Sequence, residues 1–171
     1  MHPHTPRKGN IAIFNRSHYE AVLVERVHKL APKAILAGRY ERINAFERLI
    51  AEENGTKILK FFLHISKEEQ LERFKDRLDD PTRHWKIGKS DYDERKLWDE
   101  YMDSYEKLLE RTSTEYAPWF VIPSNHKWFR NLSISQIVVS TLEGMQIDVP
   151  EPNVDIAEMK RQYKLAKAKS K

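Results

Sequence analysis

Three short apolar runs constrain the fold of this chain more than any other feature. They are Ile11-Ala12-Ile13-Phe14, Ile58-Leu59-Lys60-Phe61-Phe62-Leu63 and Trp119-Phe120-Val121-Ile122. Each is bounded by polar or breaker residues, and none alternates strictly. A strand with one wet face alternates; a strand covered on both faces does not, so the pattern predicts buried parallel strands.

Helical periodicity fills the intervals. Tyr40, Ile43, Phe46, Leu49 and Ile50 recur at steps of three and four, and Asn54-Gly55 supplies a C-terminal stop. Ser66 followed by Glu69 reads as a capping box, after which Leu71, Phe74 and Leu78 mark one buried stripe. A longer stripe of Leu97, Trp98, Tyr101, Met102, Tyr105, Leu108 and Leu109 predicts a helix from about Asp91 to Arg111. Leu132, Ile134, Ile137, Val138 and Leu142 predict another from Lys127 to Gly144. Strand, helices, strand, helices, strand, helix is an α/β order with a parallel sheet. Three strands are few for that class. After Pro150-Glu151-Pro152 the chain turns polar and basic, so residues 149–171 read as an appended arm with a helix from Asp155 onward.

Composition narrows the function classes. A chain of 171 residues suffices for one domain, and 40% hydrophobic with 33% charged residues is a soluble globular balance. No apolar run approaches a membrane span, and MHPHTPRKGN has no apolar core of a secretory leader. The absence of cysteine removes disulfides and thiolate sites and is compatible with a cytoplasmic location. The seven histidines show no metal-binding spacing, and His2 and His4 sit in a terminus expected to fray. Net charge is +4, with Lys160, Arg161, Lys164, Lys167, Lys169 and Lys171 following the last acid, Glu158. Excess positive charge favours polyanionic partners. For the tail itself, a solvated end is the favoured reading over a binding role. No nucleic-acid recognition motif accompanies the charge.

Two segments are candidates for chemistry. The first run ends in Asn15-Arg16-Ser17-His18-Tyr19-Glu20, and ligands in open α/β sheets bind beyond the carboxyl ends of strands. Ser17 suits the cap of a following helix, whose N-terminus favours an anion. Spacing alone balances this against surface residues around an ordinary cap. The second segment, Arg73 to Lys86, sets Arg73, Arg77, Arg83 and Lys86 at spacings that allow convergence on a polyanion. Asp76, Asp79 and Asp80 argue against that, since pairing with the arginines would make a solvated face, and spacing alone favours this plainer reading. Trp85, Trp98, Trp119 and Trp128 read as packing residues.

Taken together these segments carry a resemblance. Ile11 to Glu20, with Val22-Leu23-Val24 and Arg26-Val27-His28, closely resembles the Walker B region of the polyphosphate kinase 2 family. The likeness continues in order through Arg39-Tyr40-Glu41, Ile43-Asn44-Ala45-Phe46-Glu47, Lys60 to Ser66, Leu78-Asp79-Asp80-Pro81 with His84-Trp85-Lys86, Arg111 to Glu115, Ala117-Pro118-Trp119, Val121-Ile122-Pro123 and Lys127-Trp128. It spans about residues 8–145.

The resemblance implies a P-loop kinase-like three-layer α/β fold and phosphoryl transfer between inorganic polyphosphate and a nucleotide (ADP or AMP, GDP or GMP) with Mg²⁺. Residues 1–148 would form the kinase-like domain, with a lid at about 73–90, and 149–171 the arm. Asn15 stands where many members have Asp and would serve the metal, directly or through water. Arg16 would contact phosphate, Arg77, Arg83 and Lys86 would stabilise charge, and Ser17 and Arg73 would help to bind the nucleotide or phosphate chain. The family's Gly-x-Asp-x-x-Gly-Lys phosphate loop and the strand before it are not found in these residues; five glycines in all leave no room for a second such loop. The expectation is therefore an N-terminally incomplete fold, little or no kinase activity of this polypeptide alone, and exposed sheet edges. The candidate partners are polyphosphate, a nucleotide, and either a second copy of the chain or a complementing N-terminal chain.

Overall fold

The computed structural model describes residues 4–148 and 151–169. Met1, His2, Pro3, Val149, Pro150, Ser170 and Lys171 lie outside the described residues, and with them the expected position of His2 and both ends of the arm. The chain divides into two compact units, Met1–Ser135 and Gln136–Lys171.

In the first unit, helix α1 (Glu20–Val27) and helix α2 (Lys33–Asn54) precede strand β1 (Lys60–His64). Helix α3 (Lys67–Asp79), a 3₁₀ segment (Pro81–Lys86), and helices α4 (Lys89–Lys96) and α5 (Trp98–Thr112) lead to strand β2 (Trp119–Pro123). β1 and β2 are parallel, with Lys60 beside Trp119 and His64 beside Pro123. Helix α6 (Lys127–Gly144) crosses the boundary between the units, and α7 (Ile156–Lys169) lies in the second.

Local chemistry explains the boundaries. Pro32 precedes α2, and Gly55 ends it at φ 66°, the left-handed conformation that glycine adopts without a Cβ clash. Thr56 N–H then closes onto Ile50 O at 3.2 Å. Ser66 Oγ accepts from Glu69 N–H at 3.1 Å and starts α3, as its sequence predicts. Asp155 caps α7 by accepting from Ala157 N–H and Glu158 N–H.

The core joins Tyr19, Val22 and Leu23 to Tyr40 of α2 and Leu108 of α5. Phe62 of β1 stacks on Tyr105 of α5 at 4.4 Å between ring centroids, placing α5 against that face of the strand pair.

Several expectations are corrected. Ile11–Phe14 is not a strand: among the described residues the sheet has two strands, and Ile11 and Ile13 are 74% and 92% exposed. An apolar run becomes a strand only where a neighbour satisfies its backbone N–H and C=O groups, and no described segment does so here. The expected helix from Asp91 to Arg111 is broken at Leu97 into α4 and α5. On α3 only Phe74 is buried, while Leu71 and Leu78 are exposed, because the 3₁₀ segment and α4 cover one short stretch of the helix. Trp85 and Trp128 do not pack inward: they are 79% and 67% exposed.

Candidate functional site

Asn15, Arg16 and Ser17 form an exposed turn ahead of α1. Ser17 is not the helix cap. Its Oγ accepts from Tyr19 N–H at 3.3 Å, while its carbonyl accepts from Glu20 N–H at 3.1 Å, a turn that delays the helix to Glu20. Arg16 Nε donates to Glu20 Oε1 at 2.6 Å, in a wet pair that costs little to open.

Behind this turn lies a buried polar network. Lys60 Nζ donates to Glu47 Oε2 at 2.7 Å, to Thr112 O at 2.7 Å and to Tyr19 O–H at 3.0 Å. An ammonium has three protons, and all three are used. Tyr19 O–H donates to Glu47 Oε1 at 2.8 Å, and His18 Nε2 stands 3.3 Å from the same oxygen without aligned hydrogen-bond geometry. Thr112 Oγ1 donates to Leu108 O and accepts from Trp119 Nε1.

Burial would raise the Glu47 pKa, but the His18 ring, the hydrogen bonds and charge of Lys60, and the Tyr19 hydroxyl outweigh it and hold it below the usual carboxylate range. Burial lowers the Lys60 pKa, with Glu47 opposing the shift. Burial, reinforced by the Glu47 charge, raises that of Tyr19. The network pins the entry of α1, and hence the turn before it, to α2, β1 and the end of α5.

Sequence reasoning missed this network, although a signal was present. Glu47 falls on the apolar face of α2, seven residues after Tyr40 and four after Ile43, and Lys60 interrupts the second apolar run. Two opposite charges at buried positions ask for each other.

The cationic segment divides into roles. Arg73 is turned away from solvent: Nε donates to Glu69 at 2.8 Å and Nη2 to Ser124 O at 2.5 Å and Asn125 O at 3.4 Å. It fixes the exit of β2. Asp80 accepts from Thr82 N–H and Thr82 Oγ1 and pairs with Arg83 at 2.9 Å, while Asp79 pairs with Lys75. Arg77 donates through Nη1 to Lys86 O at 3.1 Å and lies over the Phe74 ring, and Lys86 Nζ lies 4.9 Å from the Trp85 ring centroid. The Arg77 side chain is thus tied to the Lys86 backbone, and neither side chain has an ion-pair carboxylate among the described residues. Asp80 and Asp79 pair with Arg83 and Lys75, Asp76 makes no ion pair among the described residues, and Arg77 and Lys86 are left over.

At the carboxyl ends of the two strands a cleft of about 300 Å³ is lined by His64, Ser66, Asn125, His126 and Phe129 among others. Its rim is tied by Ser124 N–H to His64 O at 2.7 Å and Ser66 N–H to Asn125 Oδ1 at 3.0 Å. Near Asn15, Glu20 is engaged by Arg16, and among the described residues no three His, Asp or Glu side chains cluster to hold a metal. No helix among the described residues is long and apolar enough to cross a membrane.

Comparison with known proteins sets this geometry in context. Residues 1–150 match the family described as Polyphosphate kinase 2 (PPK2). The chain is 53% identical over 152 residues to the AMP/ADP-polyphosphate phosphotransferase of Meiothermus ruber, covering 89% of this chain and 57% of the relative. It is 42% identical over 158 residues to the ADP-polyphosphate phosphotransferase of Rhodopseudomonas palustris, covering 85% and 54%. The crystal structure of polyphosphate kinase 2 from Arthrobacter aurescens superimposes with a TM-score of 0.90 at 44% identity, over 95% of this chain and 57% of that one. The chain spans about half the length of the curated relatives it matches.

Proposed function

Since this chain belongs to the polyphosphate kinase 2 family, we propose that it supplies the lid and the Asn15–Ser17 turn of a polyphosphate-dependent nucleotide phosphotransferase. In that reaction a terminal P–O–P link of inorganic polyphosphate breaks. The phosphoryl group forms a new bond to a terminal oxygen of a nucleoside mono- or diphosphate, and the shortened polyphosphate keeps the bridging oxygen and its charge. Such transfer depends on positioning and on cations placed where charge spreads. The observation that carries the reading is the acid-free pair Arg77 and Lys86 on the lid. Arg83 joins them when its pair with Asp80 opens. Arg16 contacts phosphate by exchanging Glu20 for it, and Ser17 offers a hydroxyl at the same turn. Arg73, expected from sequence to bind ligand, acts in this reading as the clamp of the β2 exit. Mg²⁺ would neutralise phosphate charge when bound, with Asn15 the residue of the turn that would serve it, directly or through water.

A second reading is favoured by one observation. Ile11, Ile13 and Phe14 are exposed, and the sheet has two strands among the described residues. Apolar surface of this kind suits cover by a further segment that carries the phosphate loop. Turnover of polyphosphate with ADP or AMP, measured on the purified chain with and without a loop-bearing N-terminal segment, separates the two. The expected result is little or no turnover alone and turnover on addition. Turnover by the chain alone that Arg77→Ala leaves intact would remove the lid from the mechanism.

A further inference from the structure

The second unit carries cations that the lid does not explain. α7 runs from Ile156 to Lys169, beyond the residues matched to the family. At 100° per residue its basic side chains fall into two groups. Arg161 pairs with Glu158 at 2.8 Å, and Gln162 also bonds to Glu158. Lys160, Lys164 and Lys167 line a different stripe at i, i+4 and i+7, fully in solvent, with no acid beside them and no ion-pair partner among the described residues. They rise along the axis by about 6 and about 4.5 Å. Like charges at this spacing weaken an isolated helix, and α7 buries no residue that would offset the cost. A local cost without a folding gain marks a surface built for something else. Equal charges repeated every few ångströms along a line complement a linear polyanion of dense, regular charge better than a single phosphate.

We propose that the Lys160–Lys164–Lys167 stripe of α7 is an accessory binding site for the polyphosphate chain, distinct from the Arg77–Lys86 pair. The proposal rests on the phosphotransferase reading for the identity of its ligand. A membrane fits less well, because the apolar positions Ile156, Met159 and Tyr163 form a narrow band without Trp or Phe. A nucleic acid fits less well, because Tyr163 is the helix's one aromatic residue available to stack on bases.

The test titrates the full chain with long-chain polyphosphate and with tripolyphosphate at several salt concentrations. It compares the wild type with K160E/K164E/K167E and the milder K160Q/K164Q/K167Q, with helicity checked by circular dichroism. The expected result is a loss of about tenfold or more in affinity for the long chain, a salt slope shallower by about 2 to 3, and unchanged affinity for tripolyphosphate. Helicity of the wild type should rise on binding the long chain. Long-chain affinity unchanged in both variants, while tripolyphosphate still binds, overturns the arm site and leaves the lid reading standing. Equal wild-type affinity for phosphatidylserine vesicles or RNA at matched charge, lost equally in the variants, overturns the assignment to polyphosphate. Failure of the wild type to bind either phosphate chain overturns both readings.

Discussion

The buried network around Glu47 and the cationic segment around Arg77 use the same kinds of side chain under opposite conditions. In the network every charge is counted out: three ammonium protons meet three acceptors, and each carboxylate oxygen of Glu47 accepts at least one bond. In the cationic segment the charges are not matched one to one: Arg77, half-buried, and Lys86, exposed, have no ion-pair carboxylate among the described residues. Charge taken out of water must be matched or it destabilises the fold. Charge left in water costs the fold little and stays available to a ligand. The difference separates residues that hold this protein together from residues proposed to act.

The largest expected effect breaks the network. Lys60→Met leaves Glu47 buried without its cation and should cost about 3–5 kcal/mol in urea unfolding. Arg77→Ala, which loses one exposed hydrogen bond to Lys86 O, should cost about 1 kcal/mol, well below the loss in Lys60→Met. Comparable losses in the two would erase the distinction.

Acid separates the regions in another way. The folded pKa of Glu47 lies below its unfolded value, so its contribution is fully present above the ordinary carboxylate range and is lost as pH falls through the folded value. Thermal unfolding followed downward from neutral pH should show this loss in the wild type and a smaller one in Glu47→Gln, whose midpoint starts lower. Parallel pH curves for the two proteins would show that the carboxylate is not the group responsible.

Smaller effects sharpen the boundary. Arg73→Ala should lose about 2 kcal/mol, the scale of hydrogen bonds from a charged donor to the Ser124 and Asn125 carbonyls, while tripolyphosphate affinity stays at the wild-type level. A loss of affinity without a loss of stability would move Arg73 back among the ligand contacts. Ser66→Ala, which removes the cap of α3, should cost about 1 kcal/mol by the same unfolding assay.

What the sequence disclosed follows from range. Ser66, Asn54-Gly55 and the runs that became β1 and β2 are local signals, and the structure keeps them. Ile11–Phe14 has the same local signal as a strand, yet pairing is decided by a neighbour elsewhere in space, and none is described. Trp85 and Trp128 fail for the same reason, since an aromatic residue is buried only where another element arrives to cover it. The cationic segment was legible as composition. Which of its arginines would be consumed by acids or carbonyls depended on distances: Arg83 turned to Asp80, Arg73 to the β2 exit, and Arg77 to Lys86.

Those two unmatched cations are open to direct test. Titration of the full chain with tripolyphosphate by calorimetry, comparing the wild type with R77Q/K86Q, tests them. The prediction is at least about a tenfold loss of affinity, the scale of one charge-assisted contact to phosphate, with the unfolding midpoint lowered far less than in Lys60→Met. Equal affinity in the two proteins would contradict it and leave the lid an ordinary solvated surface.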